Sequence, residues 1–383
     1  MKKILFVSHT ANFSKFNRMF MRWFQENGWQ VDYASDGQEI IKDCDRSFAM
    51  EFERFPFNWK NLIAYKELKK RIESEKYDII HCHTPVGGVI TRLAARKSRK
   101  LGTKVIYTGH GLHFYKGAPL INWLLYYPIE KFCARFTDCL ITINDEDYHN
   151  VKRYKFKANS IKLVHGAGVD LSRFHLWLDD EKQRLRNEYA IDKSTIILLC
   201  VAEINKNKNQ EFLIHAVKKL VDQQCNVKLL IVGTGVEAEN LKCRVQEINL
   251  ENNVEFLGYR NDVEKLYGLS DILVTASLRE GLPVNIMEGM ASGLPVLCTN
   301  TRGQRDLVKN GRNGFLYEVN DMEDFCKKVL DLYMDKELLG EIAENNLEDV
   351  RAYSSEKVMR EMIEIYRRYM EEKNAIEYNN SRL

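Results

Sequence analysis

A chain of 383 residues with 45% hydrophobic content can build two globular domains of ordinary size, each with its own core, which excludes a disordered or fibrous protein. Nowhere does it approach the ~20 consecutive apolar residues that span a bilayer, so any membrane contact is expected to be peripheral. The net charge of +3 conceals an asymmetry: residues 1–170 carry 28 Lys+Arg against 18 Asp+Glu, and the remainder carries 29 against 36. A basic first half points to a polyanion, with nucleic acid, anionic headgroups and a lipid diphosphate all open, or is simply solvated surface.

The first residues, Met1 to Val7, begin like a signal peptide, but the apolar run stops at Ser8-His9-Thr10 and reads as a buried first strand. Further strands are expected at 30–34, 78–82, 104–108, 138–143 and 161–165, then at 195–202, 227–232, 254–257, 271–275, 295–299 and 314–318. They alternate with helical patterns, the signature of an α/β protein with two doubly wound parallel sheets. The charged stretch after Phe174 separates a first domain, 1–172, from a second, 190–354. A last helix at about 355–373 is expected to pack back on the first domain. Nine cysteines without a CxxC pair suggest reduced thiols in a cytoplasmic protein. His81-Cys82-His83 has the composition of a metal site, yet its alternation on a strand favours a structural role.

The densest chemistry lies in Ser277-Leu278-Arg279-Glu280-Gly281-Leu282-Pro283-Val284-Asn285-Ile286-Met287-Glu288-Gly289-Met290-Ala291-Ser292-Gly293-Leu294-Pro295-Val296. It runs from a strand through a Gly-Pro turn into a helix and leaves by another strand. Pro283 sits where a first-turn proline is tolerated, and the adjacent N–H groups are free to meet a diphosphate. Glu280 and Glu288 accept hydrogen bonds, which suits sugar and ribose hydroxyls. Lys208, in the strand-to-helix turn Glu203 to Asn209, can bring a point charge to phosphate.

The spacing of Glu280 and Glu288 inside this Gly-Pro frame resembles the retaining family 4 glycosyltransferases of the GT-B fold, two Rossmann-like domains facing a cleft. The resemblance extends through Thr108-Gly109-His110-Gly111, Gly168-Val169-Asp170, Lys208-Asn209, Ile231 to Gly235 and Asn313-Gly314, and is closest to bacterial exopolysaccharide and capsule enzymes. It implies that Glu288 holds the donor ribose, Glu280 contacts the transferred sugar, and Gly281, Leu282 and Pro283 present backbone to sugar and diphosphate. It places His110 against the donor sugar or its phosphate and Lys208 on the diphosphate. It also implies metal-independent transfer with retention, no cofactor, and a nucleotide-sugar donor of which UDP-sugar is the preferred form.

One position departs from the pattern: relatives often carry arginine where this chain has Glu203, so either Lys206 supplies the second positive contact or Glu203 serves a subgroup role. Gly233-Thr234-Gly235 lacks the third glycine of a dinucleotide fingerprint and can instead crowd the nucleoside. Arg260, in Gly258 to Asp262, follows a strand and is a candidate near the base. His113 and His9 are weaker candidates than His110. Asp43-Cys44-Asp45 and Asp145-Glu146-Asp147 are assigned to turns or helix starts rather than to a metal.

On the acceptor side, Phe13 to Phe24, Leu120 to Phe136 and the basic run Arg92 to Lys100 suit either an anionic membrane with a polyprenyl-diphosphate-linked acceptor, or a core helix with a solvated end. No nucleic-acid module is present. The expected function is hexosyl or N-acetylhexosaminyl transfer to a glycan or lipid-linked acceptor in surface polysaccharide synthesis, at the inner face of the membrane. A nucleotide-sugar 2-epimerase and a non-catalytic partner subunit are the alternatives.

Overall fold

The computed structural model describes residues 1–37 and 40–380. The first sheet comprises β1 (Lys3–Val7), β2 (Gln30–Ser35), β3 (Arg46–Ala49), β4 (Ile79–His83), β5 (Lys104–Gly109), β6 (Cys139–Thr142) and β7 (Ser160–Leu163). Every pairing is parallel, in the order β3-β2-β1-β4-β5-β6-β7. The second contains β8 (Ile196–Val201), β9 (Val227–Val232), β10 (Val254–Gly258), β11 (Ile272–Thr275), β12 (Val296–Thr299) and β13 (Gly314–Tyr317). It is also parallel throughout, ordered β10-β9-β8-β11-β12-β13. Both sheets are Rossmann-like.

Central strands such as Lys3–Val7 and Ile196–Val201 are continuous apolar runs because helices cover both faces of a parallel sheet. In the first sheet, Leu5, Val7, Cys82 and Val105 face one buried layer, and Ile4, Phe6, Ile79 and Ile106 face the other. The strand missed by sequence reasoning is β3, whose residues Arg-Ser-Phe-Ala are half-exposed on the sheet edge. Arg46 holds it there, with guanidinium contacts of 2.6 Å to buried Asp32 and 2.9 Å to Glu75.

The chain divides into Met1–Gly166 with Val358–Leu383, and Ala167–Lys357. The segment around Val169 to Phe174 and the charged helix Asp179–Glu188 therefore go with the second unit. The last helix, Ser355–Asn380, gives Val358, Met362, Ile365, Tyr366 and Tyr369 to a core shared with β1 and β4. This spacing is one helical face. Tyr369 donates from its hydroxyl to the Asp138 carbonyl at 3.0 Å.

In each sheet the strand order reverses once, between β1 and β4 and between β8 and β11. Loops leaving the carboxyl ends of strands at such a switch point diverge, and the crevice between them is where open α/β sheets bind ligands. In the second unit those loops carry Glu203 to Lys208 and Ser277 to Pro283, and in the first they carry His9 and Thr84.

Candidate active site

In the second unit the two loops at the switch point are joined through their functional side chains. Lys208 Nζ lies 2.5 Å from Glu280 Oε1, both largely buried. Asn205 Oδ1 accepts from the amides of Asn207 and Lys208 at 3.1 Å, closing a turn that starts the helix Gln210–Asp222 and aims Lys208. Asn207 then bridges the loops, its side-chain amide donating to the Arg279 carbonyl at 3.0 Å and its carbonyl accepting from Leu278 N–H at 2.8 Å. A cation and a carboxylate, 72 residues apart in sequence, are thus held on one small surface.

Helix Val284–Ala291 begins at this surface. Pro283 is its N-cap, with φ −76° and ψ 119°, so the first-turn placement read from the sequence is corrected by one residue. No side chain caps the helix, which leaves its leading N–H groups for an anion. Leu282 and Pro283 are buried, so whatever they offer a ligand comes from backbone. The turn is tight: a Cβ on Gly303, at φ +77°, would sit 2.2 Å from the Gly281 carbonyl oxygen.

Glu288, one helical turn from the C-terminus of this helix, is half-buried, and its Oε2 accepts from the Tyr267 hydroxyl at 2.8 Å. Burial and the Glu288 charge hold the Tyr267 hydroxyl well above its ordinary range, so it remains a donor that fixes the carboxylate. Asn285 Nδ2 ties the same helix to the Val201 carbonyl at 2.9 Å, at the end of β8.

Sequence reasoning missed the residues that hold this loop. Buried Arg302 donates from Nε to the Glu280 carbonyl at 3.1 Å. Gln304, fully buried, donates from Nε2 to Thr299 Oγ1 at 2.6 Å and to the Ser277 carbonyl at 3.3 Å, while its Oε1 accepts from Thr275. Isolated polar residues carry no periodic signal, and only the crossover of β12 beside β11 brings them under Ser277 to Glu280.

The remaining candidates differ in what they can do. Gly233 is required by packing, since a Cβ there would lie 2.0 Å from the Ala202 carbonyl, and its N–H donates to Gly258 at 2.8 Å. Arg260 is neutralised by both Asp262 oxygens at 2.8 Å and also donates to the Tyr189 hydroxyl at 2.9 Å. Lys206 and Glu203 are exposed, and the Glu203 carbonyl accepts from Gln210 Nε2 at 3.0 Å.

In the first unit His110 follows β5 and contacts His83 at the end of β4, His110 Nε2 to His83 Nδ1 being 3.1 Å. His81 is saturated by the Tyr366 hydroxyl at 2.7 Å and Thr108 Oγ1 at 2.8 Å. Phe13 sets its ring edge-to-face on His110 at 4.6 Å. Burial pushes His110 down to about 4 and His81 to about 3, and lowers His83 well below 6.5. These imidazoles are neutral at neutral pH. Among the described residues, His83 Nε2 is buried without a partner. One proton is shared between His83 Nδ1 and His110 Nε2, and both rings are neutral. His113 stacks on Tyr126 at 4.3 Å, and among the described residues His9 keeps both ring nitrogens buried without partners. Asp43 lies in a turn held by Arg18 and Arg22, and Asp145 to Asp147 begin the helix Asp145–Arg153.

Two Rossmann-like units, each a parallel sheet with one switch point, are the fold of the GT-B glycosyltransferases. Residues 181–349 match the family model for glycosyl transferases group 1, and residues 3–144 match that for glycosyl transferase 4-like proteins. The chain is 40% identical over 371 residues to a Bacillus subtilis (strain 168) protein named as the glycosyltransferase EpsD, covering 97% of each. It is 32% identical over 327 residues to the Escherichia coli UDP-Gal:alpha-D-GlcNAc-diphosphoundecaprenol alpha-1,3-galactosyltransferase, covering 82% of this chain and 80% of the relative. Anabaena HepE, solved with UDP and glucose, superposes with a TM-score of 0.78 at 18% identity, over 96% of this chain and 99% of HepE. The chain belongs to the family 4 glycosyltransferases and is a glycosyltransferase.

Proposed function

We propose that this enzyme transfers a hexose or N-acetylhexosamine from a UDP-sugar, with retention of configuration, to a glycan or polyprenyl-diphosphate-linked acceptor in bacterial surface polysaccharide synthesis. The carrying observation is the Lys208–Glu280 pair beside the uncapped start of Val284–Ala291. Lys208 and the leading amides, with backbone of Gly281 to Pro283, neutralise the diphosphate, while Glu280 orients the transferred sugar. Glu288, steadied by Tyr267, accepts from the ribose hydroxyls. His110, being neutral, hydrogen-bonds a sugar hydroxyl rather than pairing with phosphate as a cation.

Departure of UDP leaves its phosphate oxygen to take the acceptor hydroxyl proton as the new glycosidic bond forms on the same face. Neither a metal nor a cofactor enters this reading. Gly233 and Arg260 border the nucleoside side, and exposed Lys206 supplies the second positive contact that Glu203 cannot. The UDP-linked donor and lipid-diphosphate acceptor named for the E. coli relative, and the UDP bound by HepE, support this choice of substrates. The second unit is the donor domain, and the first is the acceptor domain, acting in the cytoplasm at the inner membrane face without nucleic acid.

The test is UDP release from a panel of UDP- and GDP-sugars, with and without bacterial lipid extract. Lipid-dependent release from one donor, lost in Glu288→Ala, is expected. Release from no donor by folded protein would favour a non-catalytic subunit.

A further inference from the structure

Strands β4 and β5 pair with His81 opposite Ile106 and His83 opposite Thr108, so the two histidines, two residues apart, lie on one face of the sheet. Their surroundings differ. His81 has both ring nitrogens satisfied, by the Tyr366 hydroxyl and by Thr108 Oγ1. His83, 2% exposed, has one side-chain hydrogen bond among the described residues, between Nδ1 and His110 Nε2 at 3.1 Å, and its Nε2 has none. Rings enclose it: Phe6 is stacked at 6.4 Å, Phe13 lies at 5.3 Å and His81 at 4.1 Å.

A buried imidazole with an orphaned nitrogen is costly between phenylalanines, and an apolar side chain of similar shape would pack there without that cost. What the imidazole adds at this position is its contact with His110. The end of β4 is held firmly for it. Thr84, next in the chain, takes φ +64° and ψ 151°, a region nearly restricted to glycine, and such strain persists only where the surroundings over-determine it. Thr84 Oγ1 donates to the His83 carbonyl at 2.5 Å and accepts from the His9 N–H at 3.1 Å. His110 sits between Gly109 and Gly111, a backbone too permissive to fix its ring unaided. The ring is held instead by His83 at Nε2 and by Phe13, edge-to-face at 4.6 Å, which leaves Nδ1 for a ligand.

We propose that His83 is a positioning residue for the transfer reaction: its hydrogen bond to His110 Nε2, together with the Phe13 ring, holds the His110 imidazole so that Nδ1 meets the sugar hydroxyl. The proposal deepens the reading that His110 hydrogen-bonds the sugar, and it rests on that reading. His83 acts through His110 and not on the substrate, by fixing the orientation of a group that the substrate meets.

Asparagine and leucine have nearly the same shape, and asparagine alone keeps a polar atom close to the place of Nδ1. The test compares full-length His83→Asn, His83→Leu, His110→Gln and the double variant His83→Leu/His110→Gln. Each is assayed by UDP release from the panel of UDP- and GDP-sugars with bacterial lipid extract, and by UDP affinity and circular dichroism. Long-range 1H–15N spectra of the imidazoles report on His110 directly, its signals being identified by their loss in His110→Gln. His83→Leu should lower kcat about tenfold, the worth of one oriented hydrogen bond, with UDP affinity and circular dichroism unchanged. His83→Asn should recover most of that loss. The His110 signals should move in the Leu variant and return towards the wild type in the Asn variant. The double variant should be no slower than His110→Gln, because a residue that acts through His110 has nothing to hold once His110 is gone. A purely structural role predicts the reverse: leucine, better suited to apolar surroundings, would serve at least as well as asparagine, and the losses would add. Either of those results, or His110 signals unmoved in His83→Leu, would overturn the proposal. Loss in His110→Gln with none in His83→Leu would overturn it alone. Full activity of His110→Gln would overturn the reading of His110 at the sugar, and the proposal with it.

Discussion

At the scale of single residues, the Lys208–Glu280 pair makes the sharpest demands. Lys208→Met should lower kcat/KM by about a hundredfold, the usual loss when a charge on the leaving group is removed. Steady-state assays at saturating acceptor will show it. Tyr267→Phe should leave Glu288 present but less fixed, raising the KM for donor several-fold with little change in kcat. UDP calorimetry on Glu288→Ala should show binding weaker by about ten- to a hundredfold, the range for losing hydrogen bonds to a charged group. The histidines at the ends of β4 and β5 set a pH limit on stability. A histidine whose folded value is depressed binds fewer protons in the native state, so its contribution is present above 6.5 and is lost as pH falls through the folded value, about 4 for His110. Stability from denaturant melts should therefore fall between pH 6.5 and 4, by about 1.4 kcal/mol per pH unit for His110. His110→Gln should make that slope shallower. The glutamates and Lys208 were legible in the sequence because a Gly-Pro frame surrounds the former and a strand-to-helix turn the latter. Arg302, Gln304 and Tyr267 were not, since their roles arise from which strands become neighbours.

Elements were legible where burial is two-sided. The apolar runs of β1, β4, β8 and β9 announce parallel strands, and observed bounds differ from the expected ones by one residue at most ends. β3 was invisible because a four-residue edge strand needs neither alternation nor apolar content, and its place is fixed by Arg46 reaching Asp32 and Glu75. The turn into helix Val284–Ala291 shows the same dependence on close packing. Gly303→Ala would force a Cβ onto the Gly281 carbonyl at a left-handed φ. It should destabilise the second unit by about 2 kcal/mol and raise the donor KM, through displacement of Gly281 rather than loss of a contact. Denaturant melts paired with kinetics separate the two effects.

For the whole molecule, alternating strands and helices disclosed two α/β units, and the last helix was expected to return to the first. What no local pattern discloses is that Tyr366, nearly three hundred residues from His81, completes the hydrogen bonding of that histidine. Truncation before Val358 removes Val358, Met362, Tyr366 and Tyr369 from a core containing β1. It should cost more than about 5 kcal/mol and abolish cooperative unfolding of the first unit, as calorimetry can show. Transfer of a sugar is the activity on which every residue role above depends. The most direct measurement is to follow a labelled UDP-sugar with purified enzyme and a polyprenyl-diphosphate-linked acceptor, comparing wild type with Glu280→Gln. One UDP should be released for each sugar appearing in the lipid fraction, with retained configuration, and the variant should form almost none. Conversion of the donor to its epimer without acceptor, or equal transfer by the variant, would contradict it.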